Sequence, residues 1–377
     1  MRRRNRIAPL RSHYTGKPHT RIPRKVLVPL LAVLFWAVCR LLPRCLSEQA
    51  VTRWLIPVSR AISLPVKLVS GLLPFALLEL LMILLPVLVV VLLFIDFDGA
   101  SAGADARREE LPPLSAGITT LALMLALFHL TMGFGYAGLT LDRQLDFPEV
   151  PVTAEVLYDT ARLMGDRAAA LRPRADYADR TVRGYEAAFR QTYRELARSY
   201  PVFAGRPARP KAALLSVPMS YLGIGGLYSP FTCEALINTD TTPPSLAFTV
   251  AHEMSHSLQI ARENEANFSA FLACVESEDP AIQYSGYFMG LLYALPACRR
   301  ADPDGYAGLL QSIDAQVRAD LQAYHEHVAE YEGVVSRTHS RINDLFLKSN
   351  GQQEGVRSYG LMVNLLVAWR EAATPTP

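Results

Sequence analysis

Three long apolar runs crowd the first 140 residues, and they restrict the architecture of this chain more than any other feature. They are Val26–Leu42, Leu72–Ile95 and Ile118–Leu139. Each is about 17 to 24 residues long, and about 20 helical residues span the roughly 30 Å apolar core of a bilayer. The second run carries one charge, Glu79, and the first ends on Arg40. No small-x-small cleavage pattern follows Leu42, so the first run reads as a retained anchor rather than a removed signal. We therefore expect three transmembrane helices, at about 26–42, 72–95 and 118–139, in a membrane region covering residues 26–140.

Orientation follows from the basic residues. Residues 1–25 hold nine Lys or Arg and no acid, so this tail is expected in the cytoplasm. Three crossings then place the remainder, 141–377, on the extracytoplasmic side of a multi-pass cell-membrane protein. Arg53, Arg60 and Lys67 recur every seven residues, on one face of a helix. This implies a segment lying on the membrane surface, interrupted at Pro57 and Pro65. The net charge of +3 is accounted for by the tail and gives no case for nucleic acid. Five cysteines (Cys39, Cys45, Cys233, Cys274 and Cys298) form no C-x-x-C pair and are odd in number, so no disulfide framework is indicated.

Beyond residue 141 the pattern is mostly helical. Thr153–Leu171 and Ala175–Ser199 read as amphipathic helices, and Ile282–Leu295, Tyr306–Glu332, Ser336–Lys348 and Ser358–Trp369 read as helices further on. Short β-type runs at Lys211–Val217 and Ala235–Asn238 lie between, with Gly223–Gly226 as a turn. The expected class is α+β: three membrane helices followed by a mostly helical domain with a small sheet.

Within that domain His252-Glu253-Met254-Ser255-His256 spells H-E-x-x-H. On a helix, positions i and i+4 share a face, so both imidazoles can point at one metal ion. Glu253 stands beside that face, within reach of a water on the metal. Pro243-Pro244-Ser245 supplies a helix start just upstream. A catalytic zinc usually takes three protein ligands, and Glu263 and Glu265 are the next carboxylates. In one unbroken helix Glu263 would lie about 10 Å beyond His256, at 1.5 Å per residue. A shared metal thus requires a break near Ser257–Ala261, although no Gly or Pro marks one there. With a break, Glu263 becomes the expected third ligand, Glu265 the competing one, and Asn267 a hydrogen-bonding residue behind Glu263. His325-Glu326-His327 has metal-ligand residue types but alternating positions on a helix, which diverge, so a solvated face is expected.

These residues resemble the glutamate-ligand zincin metallopeptidases, in which H-E-x-x-H is followed on a second helix by E-x-x-x-D or E-x-x-x-N. More closely, the chain resembles an uncharacterised family of bacterial membrane-anchored zincin-like proteins. The likeness is carried by Tyr228-Ser229-Pro230-Phe231-Thr232-Cys233-Glu234-Ala235, by His252–Phe268, and by Asn343–Lys348 through Ser358-Tyr359-Gly360. The pattern places Gly three residues after the second His, where this chain has Gln259. The resemblance implies a zinc site of His252, His256 and Glu263.

The expected chemistry is hydrolysis of a peptide bond, with zinc as cofactor and Glu253 as general base. Tyr359 or Arg357, in the 350–360 loop, is the expected donor to the oxyanion. A strand just before the metal helix offers a free edge to an extended peptide. Expected partners are the lipid bilayer and a peptide or protein substrate. The alternative is a membrane sensor or scaffold that holds zinc without cleaving; it would have no need of Glu253.

Overall fold

In a computed structural model, the described residues are 24–85, 87–88, 113–353 and 361–373. They form a mostly helical molecule with one three-stranded sheet. Near the N-terminus α1 (Arg24–Leu41) leads to an extended helical segment, α2 (Glu48–Leu72), which contains one π-turn at Val51–Leu55. Residues 77–85 are helical (α3), and α4 covers Pro113–Thr131. Among the described residues, three stretches are long and apolar enough to cross a membrane, Val26–Cys45, Glu48–Leu72 and Leu114–Thr131, which marks a membrane protein.

Two of these match the expected first and third spans. The third ends sooner than expected, because Gly133–Ala137 forms a 3-10 turn. Of the expected second span, 72–95, residues 72–85 and 87–88 are described: 73–76 are not helical, α3 begins at Leu77, and 86 and 89–95 lie outside the described residues. The segment expected to lie broken on the membrane surface is instead a continuous helix set into the rest of the protein. Pro57 falls in the first turn of its α-helical part, where its missing N–H is harmless, and Pro65 is accommodated inside.

Threonine caps open the next two helices. Thr153 accepts the Val156 N–H at the start of α5 (Ala154–Leu171), and Thr181 accepts the Gly184 N–H before α6 (Val182–Ser199). Residues 175–180, expected to be helical, precede that cap and stay outside. Along α6 the stripe Val182, Tyr185, Phe189, Tyr193 and Leu196 is buried at helical spacing.

The sheet has the order β1-β3-β2, from β1 (Pro210–Ala212), β2 (Gly226–Ser229) and β3 (Glu234–Ile237). β1 runs parallel to β3 with Lys211 opposite Leu236, and β2 runs antiparallel with Tyr228 opposite Ala235. Between β1 and β2 lies α7 (Ser216–Leu222), so the expected strand 211–217 stops at Ala212. The metal-motif helix α8 (Pro243–Ser257) and then α9 (Glu263–Val275) follow the sheet. The chain continues through α10 (Pro280–Ala301), α11 (Tyr306–Ser312), α12 (Ala315–Glu330), α13 (Val334–Ser349) and α14 (Met362–Ala373). Asp314 caps α12 by accepting the Gln316 N–H, which divides the expected helix 306–332.

The main core gathers Met164, Phe189, Tyr193, Phe248, Phe268, Phe271 and Phe288, all buried, around α8 and α9. Each such side chain stabilises the fold by about 1.5–3 kcal/mol relative to exposure. A second buried cluster joins Phe128, Met132 and Tyr136, at the end of α4 and after it, to Tyr228, Ala235 and Ala261. The membrane helices and the metal-motif helices therefore share packing.

Candidate functional site

The break between α8 and α9 lies where the spacing argument requires it. Leu258 closes α8, and Gln259 takes φ +71°, the left-handed region that favours glycine. Turning the chain there brings Glu263, at the first position of α9, back over the two histidines. One atom from each of His252, His256 and Glu263 lies within 4.8 Å of the others. His252 Nε2 stands 3.5 Å from Glu263 Oε2, and His256 Nε2 stands 3.7 Å from Oε1. Ligands about 2.0–2.2 Å from a tetrahedral zinc are themselves about 3.3–3.6 Å apart. The donor atoms are thus already spaced for a small divalent cation.

The hydrogen-bonded surroundings fit the same role. His256 Nδ1 donates to the Ile260 carbonyl at 2.9 Å, which directs Nε2 toward Glu263. Burial disfavours the His256 imidazolium, but the charge and hydrogen bonding of Glu263 outweigh this and push its pKa up to about 9. Burial acts on Glu263 in the opposite sense to its neighbours: it favours the neutral acid, yet His256 and hydrogen bonds from both imidazoles hold the carboxyl well below the usual range. Both directions express one demand, positive charge beside Glu263. His252 Nδ1 is buried without a hydrogen-bond partner.

Glu253 is different in kind. It is buried, and burial pushes its carboxyl pKa up against the opposing pull of His252 and His256. Its Oε2 has no hydrogen-bond partner. Isolated polar atoms in a protein interior are costly, so such an atom is expected where chemistry requires it. The backbone of β2 presses against this side chain: a Cβ at Gly226 would fall 2.5 Å from Glu253 Oε1. Any side chain at 226 would have to displace Glu253.

Glu265, the competing ligand, points elsewhere. It accepts from Arg262 Nη1 at 2.9 Å and from the Leu141 N–H at 3.1 Å, and so serves as a structural anion. Asn267 is buried beside the site, but its Nδ2 has no partner, so it does not steady Glu263 as expected. Tyr359 and Arg357 lie outside the described residues. In the His325–His327 stretch, His327 Nε2 meets the Asp240 carbonyl at 3.0 Å, and the three-residue metal-ligand group found among the described residues does not include this stretch.

The site opens into a cavity of about 650 Å³. Its floor is Glu253, His252 and Glu263, and one side is the β2 edge. No strand pairs with that edge among the described residues, because β3, the strand next to the metal helix, is the centre of the sheet. The free edge expected of the strand before the metal helix therefore belongs to β2, read in the sequence as a glycine turn. The opposite wall comes from α1 and α4, with Trp36, Arg40, Leu125 and Phe128, and α13 closes over the top. Tyr136 also lines the cavity, with its hydroxyl buried and unpartnered. Hidden in an apolar run, it gave no sign of its place; the Gly133-x-Gly135 pair before it was the available signal. A Cβ at Gly135 would lie 2.5 Å from the Gln259 carbonyl, so this turn packs directly on the turn before Glu263.

Residues 58–367 match the family described as "Protein of unknown function (DUF3810)", and the chain belongs to that family. No curated protein and no solved structure matches it.

Proposed function

We propose that this member of the DUF3810 family is a membrane-anchored zinc metallopeptidase of the zincin type. The carrying observation is the convergence of His252, His256 and Glu263 at metal-ligand spacing beside a buried Glu253 with an unpartnered oxygen. His252, His256 and Glu263 would hold the ion. Bound there, zinc would polarise the scissile carbonyl and acidify the attacking water.

The chain's own groups supply the rest. Glu253, its carboxyl basicity raised by burial, takes the proton from the attacking water and returns it to the leaving amine. The free edge of β2 offers backbone groups along which an extended peptide adds as a further strand, with its carbonyl carried past Glu253. Tyr136 supplies a hydroxyl donor for the developing oxyanion. A scaffold without chemistry would gain nothing from the unsatisfied Glu253 oxygen.

The topology belongs to the same proposal. Trp36 and Arg40 lie toward the C-terminal end of α1, Leu125 and Phe128 toward that of α4, and all four line one cavity. Packed side by side with their C-terminal ends at the site, α1 and α4 run parallel. The apolar run 72–95, the expected second span, would carry the chain back between them. With the basic tail in the cytoplasm, the site faces outward.

The test uses the full chain in detergent, loaded with zinc. Wild type is expected to hold one zinc per chain by elemental analysis and to cleave a mixed peptide library, while His252→Ala holds none. Stoichiometric zinc in His252→Ala, or a wild type that holds zinc and cleaves nothing, would overturn the respective half of this reading.

A further inference from the structure

The wall opposite the metal ligands belongs to the membrane helices, and this constrains what can enter. Leu125 and Phe128 lie within a stretch apolar enough to cross a bilayer, and Trp36 and Arg40 lie in another. The cavity therefore reaches to the level at which α1 and α4 leave the lipid. Trp and Arg at such a level are typical of the interface between acyl chains and headgroups.

Helix α13 closes this end, and its faces are sorted. His339, Asn343 and Phe346 turn inward to the cavity. Val334, Ile342 and Leu345 fall on another face at helical spacing and are 73%, 61% and 69% exposed. Arg337, Arg341 and Lys348 fall along one flank of the apolar face, where Lys348 also pairs with Asp344 at 2.6 Å. An apolar stripe bordered by basic residues is the pattern of a helix lying in a bilayer interface. The inward edge is continuous with a membrane helix, since Phe346 packs edge-on against Phe128 of α4 with ring centroids 5.8 Å apart. Helix α7, packed on α13, adds Val217 and Tyr221 to the exposed apolar rim, with Leu214 just before it. Patches of this kind mark a surface that meets something apolar; the neighbouring spans identify it as the bilayer.

Accepting the peptidase reading above, we propose that the substrate is a polypeptide itself anchored in the membrane, cut in the extended segment next to its own anchor, and admitted from the lipid side between α4 and α13. The cavity geometry fits such a chain. An anchor helix in the bilayer beside α4 leaves its first residues outside the lipid at the level of Phe128 and Phe346. From there the segment reaches the β2 edge and Glu253 through the cavity, without crossing the domain.

The experiment uses the full chain in liposomes of phosphatidylethanolamine and phosphatidylglycerol, loaded with zinc. One reporter peptide, chosen from those the protein cleaves in detergent, is supplied free in solution or joined to a hydrophobic helix that inserts in the same liposomes. The anchored form is expected to be cut at least about ten times faster at equal total concentration, beyond what a buried-peptide control protease shows, because anchoring confines it to the entrance. Ile342→Glu with Leu345→Glu, neither of which lines the cavity, should remove that advantage and leave cleavage of the free peptide unchanged. Independently of activity, a bimane attached at Ile342→Cys in a Cys45→Ser background should be quenched by spin-labelled lipid and shielded from iodide. Equal rates for the two peptides would overturn the substrate class while leaving the peptidase intact. Quenching by iodide alone would overturn the membrane-lying gate. A detergent assay that yields no cleaved peptide would remove the peptidase and this proposal with it.

Discussion

The turn between α8 and α9 is held from two sides that obey opposite rules. On the front, His252, His256 and Glu263 crowd charge together, and Glu253 keeps an oxygen without a partner. On the back, helix α2 meets the same turn with polar groups that are matched. Arg60 donates to the Leu258 carbonyl at 2.9 Å and to the Val202 carbonyl at 2.6 Å, and Lys67 donates to the Ser257 carbonyl. Ser59 Oγ donates to Gln259 Oε1 at 2.8 Å, and Gln259 Nε2 donates to the Thr131 carbonyl. The back is architecture, since everything there is satisfied within the protein. The front is satisfied only by something added. The difference separates the residues that should change chemistry from those that should change stability.

The largest expected effect lies on the front. Glu253→Gln is nearly isosteric but cannot accept a proton, so hydrolysis should fall by about 10²–10⁴-fold while zinc content and melting temperature stay at wild-type values. Loss of zinc from this variant would show that Glu253 holds the ion rather than a proton. Next comes the choice between the two carboxylates. Glu263→Ala should weaken zinc binding by more than about 100-fold, beyond the effect usual for residues behind the ligands. Glu265→Gln should keep affinity but lower stability, because Arg262 and the Leu141 N–H lose a charged partner. Competition against a chelator measures the first, thermal unfolding the second, and an exchange of the two outcomes would transfer the ligand role to Glu265.

On the back, Lys67→Met should destabilise the protein by about 1–3 kcal/mol, the usual penalty for a buried carbonyl left unpaired, with zinc affinity little altered. A tenfold loss of affinity instead would mean that the two sides of the turn are not separable. The smallest effect is expected for Gln259→Gly. Glycine relieves about 1–2 kcal/mol of left-handed strain. It also forfeits two side-chain hydrogen bonds worth about 0.5–1.5 kcal/mol each and adds about 0.5–1 kcal/mol of unfolded-state entropy. The midpoints sum to a destabilisation of about 1 kcal/mol, read as a small drop in melting temperature.

Much of the front was legible in the sequence and little of the back. The i, i+4 spacing of His252 and His256 and the rise of a helix are enough to require a turn before Glu263. What concealed that turn is Gln259, which enters the left-handed region without being glycine because Ser59 and Thr131, far away in the chain, hold its amide. The basic residues of α2 misled for a related reason. A period of seven reads as a lipid-facing stripe when the partners are headgroups, but here the acceptors are backbone carbonyls, which carry no mark in a sequence. Tyr136 and the β2 edge were hidden by their surroundings, the one in an apolar run and the other in a glycine-rich stretch. The existence of the helices was legible from their apolar spacing, whereas the cap at Thr181 and the pairing order of three short strands were not.

The contact between the sheet and the membrane region has a further implication. Lys211 Nζ joins Glu234 at 2.6 Å and donates to the Ser70 and Phe75 carbonyls, while the two oxygens of Glu234 accept the N–H groups of Leu77 and Leu78 at 2.9 Å each. Many enzymes that stand on a membrane hang from a tether and can be shed into solution by one cut. Here a cut near residue 141 would strand a buried lysine–carboxylate pair and the carbonyls behind the metal turn. The helices before residue 141 are part of the chassis, so a single cut there leaves the two parts held together by these buried contacts.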